Sequence, residues 1–387
     1  MQFDEDVNRY NTNSLKYDFK EEKNKPANVM PMWVADMDFK CPNVVIEDMK
    51  NRLDHGILGY TKNDLEYFKA IDKWFSKKFN IKLEPDWLVI TPGVVFALAT
   101  SVKILTDKYV YVLINNPVYY PFTEVIEDNA RKVISSDLVL NNGYYEINFE
   151  DLEKKIIDYN IKLYLLCSPH NPVGRVWKRE ELDKVIEICK KHDVYIVSDE
   201  IHSDFTWNHE HTNILQYEDY KSHLILCTAP TKTFNLAGLQ ISNIFIPDEK
   251  IKNDFQNEVW KTGYSLVNVM GLVACMSAYE KGDDWLFDLK VYLQENIDYV
   301  DEFLKSKLPK IKLIRPEGTY LLWLSFKNLD IHPLDLENIL INDAKIWLDN
   351  GDMFGTLGEG FMRMNIALPK DKLIIAMDNL YKTFKDY

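Results

Sequence analysis

The chain has 387 residues, 46% of them hydrophobic and 27% charged, so it is long enough for a large buried core and too apolar for a disordered protein. Its 46 basic and 60 acidic residues give a net charge of −14, which argues against a nucleic-acid partner because such binding depends on lysine and arginine. Glycine contributes only 14 residues, about half the usual share of roughly 7%, so several glycine-rich nucleotide loops are excluded.

The cellular location is predicted from the termini, the apolar runs and the cysteines. The first residues are polar and acidic, unlike a signal peptide, and no apolar run approaches the ~20 residues of a membrane span. The five cysteines form no CxxC pair, and three of them (Cys167, Cys189 and Cys227) lie in apolar runs, which indicates buried reduced thiols. We therefore expect a cytoplasmic protein with no membrane partner.

The middle of the chain alternates between strand-like and helix-like stretches. Short apolar runs occur at 109–114, 161–167, 194–198, 224–228 and 241–246. Between the runs at 161–167 and 194–198, residues 178–193 show the three- and four-residue spacing of apolar residues that is typical of an amphipathic helix. The alternation predicts an α/β fold with a mostly parallel central sheet and helices on both faces.

The last hundred residues show a different pattern. A long helix is predicted at about 285–306, a strand at 319–326, a helix at 334–342 and a final helix from about 370. These elements indicate a smaller α+β domain. The expected organisation is an N-terminal arm over 1–40, a large domain over 41–284 and a small domain over 285–387.

Polar residues follow three of the apolar runs at the edge where parallel strands end. Asn171 follows the run at 161–167, Asp199 follows the run at 194–198, and Lys232 follows the run at 224–228. Ligands bind at this edge of an open parallel sheet. Each residue alone also fits a turn, a strand end or a surface position. The lysine lies among apolar and small residues, in TAPTKTFN, which suits an amine that can lose its proton.

A turn at Thr91-Pro92-Gly93 precedes an apolar helix without charge until Lys103. Free N–H groups at such a helix start can bind a phosphate, although a plain helix start fits equally well and the P-loop pattern is absent. A phosphate cradle, a reactive lysine, a carboxylate and an amide together suit pyridoxal phosphate. The lysine would form the Schiff base, Asp199 would keep the ring nitrogen protonated, and Tyr119 would cover the ring face.

The sequence resembles a known family in several segments. In chain order these are TPGV (91–94), PVYYPF (117–122), SPHNPVGR (168–175), SDEIH (198–202) and TKTFNLAGLQ (231–240). They are similar to fold-type I pyridoxal-phosphate enzymes of aminotransferase class I/II. PMWVADMDF (31–39), GYT (59–61) and FMRMNIALP (361–369) further resemble the cystathionine β-lyase branch, the MalY/PatB-type C–S lyases. The resemblance runs from about residue 30 to 370.

The resemblance implies a role for each matched position. Lys232 is the Schiff-base lysine and the base for the substrate Cα proton, and Arg363 holds the substrate carboxylate. In a homodimer with shared active sites, Tyr60 reaches the phosphate of the partner's cofactor. The other implied cofactor contacts are Gly93, Val94, Val95, Tyr119, Asn171, Asp199, His202 and Thr231. The other implied substrate contacts are Trp33, Ala35 and Asn171.

Two positions favour a lyase over an aminotransferase. Many aminotransferases carry arginine where this chain has Gln240, and tyrosine where it has His202. The resemblance therefore implies β-elimination of a small amino-acid substrate, a cysteine thioether such as L-cystathionine, to thiol, pyruvate and ammonia. An aminotransferase on the same scaffold and a regulatory protein of the MalY type are the alternatives.

Two further groups of residues could have carried chemistry. His202, His209 and His211 suggest a metal site, but their spacing fits no standard ligand pattern, so we expect a mixed surface loop and no metal. Asp36 and Asp38 could be paired acid–base carboxylates, but an adjacent DxD more often caps a loop.

Overall fold

The computed structural model of the chain describes residues 2–387. The strands are β1 (Met30–Pro31), β2 (Leu88–Thr91), β3 (Tyr111–Ile114), β4 (Lys132–Ser135), β5 (Val139–Asn141), β6 (Tyr144–Glu146), β7 (Leu163–Cys167), β8 (Tyr195–Asp199), β9 (Leu224–Thr228), β10 (Ser242–Phe245), β11 (Lys312–Ile314), β12 (Leu321–Ser325), β13 (Ile346–Trp347), β14 (Asp349–Asn350) and β15 (Phe361–Asn365). The helices are α1 (Asn43–Asp54), α2 (Leu65–Phe79), α3 (Val94–Leu105), α4 (Pro121–Glu127), α5 (Phe149–Asp158), α6 (Arg179–Lys191), α7 (Pro230–Thr233), α8 (Glu249–Lys261), α9 (Val269–Lys281), α10 (Asp283–Lys307), α11 (Pro333–Asn342) and α12 (Lys370–Phe384).

The large sheet has the order β2-β10-β9-β8-β7-β3-β4. All neighbouring strands in it are parallel except β10, which is antiparallel to both β2 and β9. Because two antiparallel steps restore the direction, β2 also runs parallel to β9. The carboxyl ends of β2, β3, β7, β8 and β9 therefore meet at one edge, and the predicted mostly parallel sheet is confirmed.

Helices cover both faces of the large sheet. In β7, Leu163, Leu165 and Cys167 pack into one core together with α3, α4 and α8. Tyr164 and Leu166 pack into the other core together with α2, α5, α6 and α9. The alternation follows from the two-residue period of a strand, and it explains why these strands read as continuous apolar runs.

The small sheet is formed near the C-terminus and is antiparallel, with the order β11-β12-β15-β14. α10, which the sequence predicts at 285–306, extends over 25 residues before β11. β1 pairs with β13, so the segment after residue 30 lies beside the small sheet. The division of the chain at residues 40 and 284 stays a prediction.

The predicted apolar runs and helices correspond to elements of the structure. The five runs form β3, β7, β8, β9 and β10, and the segment at 178–193 forms α6. Within residues 2–387, no helix combines the length and the apolar character needed to cross a membrane.

Candidate active site

A cavity of about 180 Å³ lies at the carboxyl-end edge of the large sheet, and we call it the inner cavity. Segments that follow five different strands contribute to its wall, because those strands end side by side. The predicted site residues that line it are Ala35, Gly93, Val94, Val95, Tyr119, Asn171, Asp199, His202, Thr231 and Lys232. The fold thus collects most of the predicted site from distant parts of the chain.

Lys232 lies on α7, a single helical turn that begins with Pro230 two residues after β9. Its Nζ donates a 2.6 Å hydrogen bond to the carbonyl oxygen of Ala35. Burial lowers the pKa of Lys232 to about 8, against the opposing effect of the Asp36 carboxylate. Near neutral pH this amine can therefore lose and regain a proton at little cost, as a catalytic lysine must.

Asp199 is the last residue of β8, and it is buried. Burial raises the pKa of Asp199 to about 7, although a hydrogen bond of 3.1 Å from the backbone N–H of Ile201 opposes the shift. A buried carboxyl group of this kind gains stability as an anion when a cation sits beside it. The protonated ring nitrogen of pyridoxal phosphate would supply that cation.

The side wall of the inner cavity contains His202, Tyr119 and Asn171. Burial holds the pKa of His202 well below its usual range, so its ring is neutral. Its Nδ1 is buried without a hydrogen-bond partner among residues 2–387, which leaves it available to a bound polar group. Burial also raises the pKa of Tyr119, which therefore stays protonated. The backbone N–H of Tyr119 donates a 2.9 Å hydrogen bond to the backbone carbonyl of Asn171, which joins the loop after β3 to the loop after β7.

The start of α3 provides the place for an anion. Gly93 occupies the N-cap position without any side-chain cap, so the first N–H groups of the helix, at Val94 and Val95, are not capped by it. A side chain at Gly93 would meet no protein atom within 4 Å, so the space beside it is open. The phosphate of the expected cofactor fits here because the helix dipole and free N–H groups both favour negative charge.

Arg363 lies in β15 and is buried behind Asn171. Its Nη1 donates to Asn171 Oδ1 at 3.0 Å, and its Nη2 donates to the Trp33 carbonyl at 3.1 Å and to Asp349. Its Nε is buried and has no hydrogen-bond partner among residues 2–387. A buried N–H without a partner is costly, and a substrate carboxylate would satisfy it.

Three predicted site residues do not line the inner cavity: Arg363, which lies behind Asn171, Trp33 and Tyr60. The ring of Trp33 stacks on Trp347 with 4.4 Å between centroids, and only its carbonyl reaches the site, through Arg363. Tyr60 is 97% exposed and does not line the cavity. The role of each predicted site residue stays a prediction.

Asp349 is a residue that sequence reasoning missed. It lies opposite Arg363 in the pairing of β14 with β15, it is buried, and it accepts a hydrogen bond from Arg363. Burial raises the pKa of Asp349, while the neighbouring Arg363 opposes that shift. The sequence signal is weak, because WLDNG resembles an ordinary turn. Only the strand pairing brings the two charges together.

The expectation of a mixed surface loop for the histidines was wrong for two of them. His202 and His211 are buried, and His211 Nε2 forms a 2.6 Å hydrogen bond with Glu200. The reason is that the loop folds back under α2, where the ring of His211 packs against Phe79. Within residues 2–387, no group of three potential ligands is arranged to hold a metal ion.

Asp36 and Asp38 do not cap a loop but form ion pairs. Arg9 contacts Asp36 at 2.6 Å and Asp38 at 2.7 Å, and Lys16 contacts Asp38 at 3.1 Å. Because Asp38 and Lys16 are buried, these pairs fix the first residues of the chain against the segment that carries Ala35.

Comparisons with known proteins agree with this geometry. The family model described as aminotransferase class I and II matches residues 27–380. The chain is 40% identical to cystathionine beta-lyase PatB of Bacillus subtilis (strain 168) over 367 residues, covering 94% of this chain and 95% of PatB.

Two solved structures are similar along nearly the whole chain. Cystalysin from Treponema denticola, which contains pyridoxal 5′-phosphate, superposes with a TM-score of 0.96 at 38% identity, covering 99% of this chain and 98% of cystalysin. The pyridoxal-phosphate-bound C–S lyase from Staphylococcus hominis gives a TM-score of 0.92 at 33% identity, covering 99% and 97%. Together with the family match, these similarities show that the chain belongs to the aminotransferase class I and II family.

Proposed function

We propose that the chain is a pyridoxal-phosphate-dependent C–S lyase that cleaves the Cβ–S bond of L-cystathionine or a related cysteine thioether. One water is consumed, because the unsaturated amine left by elimination is hydrolysed, and the products are a thiol, pyruvate and ammonia. The observation that carries the proposal is the inner cavity, in which Lys232 and Asp199 lie together with Arg363 directly behind Asn171. The 40% identity to cystathionine beta-lyase PatB supports a lyase in particular.

The cofactor-binding residues have separate tasks. When bound, pyridoxal phosphate supplies an aldehyde that condenses with amines and a ring that accepts negative charge from the adjacent carbon. Asp199 would pair with the ring nitrogen, and the backbone at Gly93, Val94 and Val95 would bind the phosphate. The remaining contacts would come from Tyr119 on the ring face and from Asn171, His202 and Thr231.

Arg363 and Lys232 would act on the substrate. Arg363 binds the α-carboxylate through its free Nε–H, and Asn171, Trp33 and Asp349 hold the guanidinium in place. Lys232 takes the proton from Cα, which its lowered pKa of about 8 permits near neutral pH. The electron pair left at Cα then forms the double bond to Cβ as the thiolate leaves. The same lysine can return its proton to the departing sulfur.

An aminotransferase is the second candidate, because the matching family model carries that description. The two reactions are separated by incubating the cofactor-loaded protein with L-cystathionine. Release of pyruvate and free thiol in equal amounts is expected for the lyase. Transfer of the amino group to an added 2-oxo acid without thiol release would refute the lyase and favour the aminotransferase.

The lyase is also proposed to act as a homodimer with shared active sites. Tyr60 is 97% exposed, and Ile57 and Leu58 beside it are 66% and 56% exposed, an apolar cluster that suits an interface. In this arrangement Tyr60 binds the phosphate in the partner's site. Four buried thiols among the five free cysteines further suit a reducing compartment, and the proposed location is the cytoplasm.

Mixed dimers test the shared site. The variants Lys232→Ala and Tyr60→Ala are each expected to be weak, whereas a mixture refolded together should regain activity in one site of each mixed dimer. That site has its own Lys232 and receives Tyr60 from the other chain. A mixture no more active than its two components would refute the sharing.

A further inference from the structure

The hydroxyl of Tyr320 and the amine of Lys232 share one acceptor, the backbone carbonyl of Ala35. Lys232 Nζ donates to this oxygen at 2.6 Å, and Tyr320 Oη donates to it at 3.1 Å. Within residues 2–387, this carbonyl is the only acceptor to which the amine donates. A backbone carbonyl has two lone pairs, so it can accept both hydrogen bonds at once.

The small sheet holds this carbonyl in place. Asn365, a buried residue of β15, donates its side-chain amide to the carbonyls of Val34 and Asp36, each at 2.6 Å. Its backbone N–H donates to the carbonyl of Met32 at 2.8 Å. The peptide groups on both sides of Ala35 are therefore fixed from the small sheet, whereas the lysine is carried by the large one.

Tyr320 is a rigid donor to the shared oxygen. It lies directly before β12 and is buried, with its ring edge-on to Phe205 at 5.0 Å and to His202 at 5.8 Å between centroids. Burial raises the pKa of Tyr320 well above its usual range, so the hydroxyl keeps its proton near neutral pH. A buried tyrosine hydroxyl usually has a hydrogen-bond partner, and here the partner is the carbonyl that also binds the lysine.

The charged groups around Lys232 act on its amine in opposite directions. Burial and, to a smaller extent, Arg363 lower the pKa of Lys232 to about 8, while Asp36 and Asp199 oppose this shift. The other titratable groups that line the inner cavity and the adjoining cavity towards the N-terminus are Tyr119, Cys167, His202, Arg9, Asp38 and Lys40. In the described part of the chain, none of their side chains donates to the carbonyl of Ala35, so Tyr320 is the partner that can change this contact.

Sharing the oxygen changes how strongly it holds the ammonium form of the lysine. The two donor hydrogens converge on one oxygen and repel each other. A hydrogen bond to an ammonium group favours its charged form, and a second donor on the same acceptor weakens that bond. The hydroxyl of Tyr320 thus favours loss of the proton from Lys232, while the carbonyl still marks the place of the free amine.

We propose that Tyr320 is a positioning residue for Lys232, whose hydroxyl shares the Ala35 carbonyl so that the free amine is held in place and loses its proton readily. The inference rests on the role of Lys232 as the reacting amine in the proposed function. Tyr320 does not line the inner cavity, so it acts through the carbonyl of Ala35. The contact operates whenever the amine is not joined to the cofactor.

The first test measures how fast the cofactor-free chain takes up pyridoxal phosphate as a function of pH, by visible absorption. Uptake joins the amine nitrogen to the aldehyde carbon with loss of one water, and only the free amine can attack. Tyr320→Phe removes the hydroxyl and keeps the ring. Its midpoint should rise by about half a pH unit, on the order expected for one neutral hydrogen bond, with an unchanged rate at high pH. A midpoint that stays or falls would overturn the proposal, even if the rate drops equally at every pH.

Two further variants separate this effect from a general loss of packing. Tyr220 is also buried and donates to a backbone carbonyl, that of Val194 at 2.5 Å, at the opposite end of β8 from Asp199. Tyr220→Phe is therefore the matched control, and its midpoint should equal that of the wild type. Replacement of Tyr320 by 3-fluorotyrosine keeps the whole side chain and makes the hydroxyl a stronger donor, so the midpoint should fall. A rise in either of these two variants would overturn the proposal.

Pyruvate release from L-cystathionine distinguishes failure of the inference from failure of the function. In Tyr320→Phe, kcat should fall about threefold below the midpoint and stay unchanged above it, which is the same half unit expressed as a rate ratio. If the wild-type protein releases pyruvate but the uptake midpoints of Tyr320→Phe and wild type coincide, the inference alone fails. If uptake shifts as expected but no pyruvate forms, the lyase proposal alone fails. If Lys232→Ala shows the same absorption change as the wild type, the lysine is not the reacting amine and both fail.

Discussion

Replacing Arg363 by lysine keeps the positive charge but removes the planar fork of donors. The guanidinium uses Nη1 for Asn171 and Nη2 for Trp33 and Asp349, and so keeps Nε–H free. A lysine ammonium has three donors, and the same three protein acceptors would occupy all of them. The proposed contact with the substrate carboxylate would then be lost or shared.

The magnitude follows from the loss of one hydrogen bond between charged groups. Such a bond contributes about 1.5–3 kcal/mol, which corresponds to a roughly 10- to 150-fold change in an equilibrium constant. We therefore expect Arg363→Lys to lower kcat/KM by about that factor, mainly through KM, since the contact exists before and during the reaction. Folding should be preserved, because the ammonium can still pair with Asp349.

Steady-state pyruvate release from L-cystathionine measures the effect. Arg315→Lys is the matched control, because Arg315 is half-exposed and pairs with Asp301 far from the cavity. Its KM should equal that of the wild type. A KM for Arg363→Lys within twofold of the wild type would refute the assignment of Arg363 as the carboxylate ligand.

Three other changes test separate parts of the structure. Burial raises the pKa of Asp199 from 3.8 to about 7, so the unfolded chain loses this proton first and stability falls as pH rises from about 4 through 7. Without cofactor, Asp199→Asn should melt at a higher temperature than wild type at pH 8, equivalent to up to about 4 kcal/mol, and the difference should shrink to about 2 kcal/mol at pH 5. Equal melting at pH 8 would contradict this reasoning. Gly174→Ala should cost more than about 1 kcal/mol in urea unfolding, because φ is +73° and a Cβ would lie 2.8 Å from Pro316. Asp349→Ala should lower the stability measured by urea unfolding by about 3–5 kcal/mol, because it leaves Arg363 buried without its anion. The control Asp48→Ala removes a surface ion pair with Lys281 and should cost at most about 1 kcal/mol. If Asp349→Ala and Asp48→Ala lost similar amounts of stability, Asp349 would not be the required buried partner of Arg363.

The sequence by itself determined the fold class and most of the inner cavity. Buried parallel strands must be apolar on both faces, so β7, β8 and β9 are visible as continuous runs. A parallel sheet aligns the carboxyl ends of such strands, and this places Asn171, Asp199 and Lys232 together without knowledge of the helices. The family resemblance added Arg363 and the pyridoxal phosphate cofactor.

Only the tertiary structure decided which partners these residues have. Asp349 faces Arg363 through an antiparallel pairing of two short strands, and neither strand has a periodic pattern long enough to be recognised in the sequence. Ion pairs of Arg9 with Asp36 and Asp38 hold the first residues against the segment that carries Ala35, and local sequence rules do not contain these contacts. Local propensity and hydrophobic period act over a few residues, whereas buried charges are paired across the whole chain. For that reason the sequence predicted where the chemistry lies, and the structure decided how its charges are balanced.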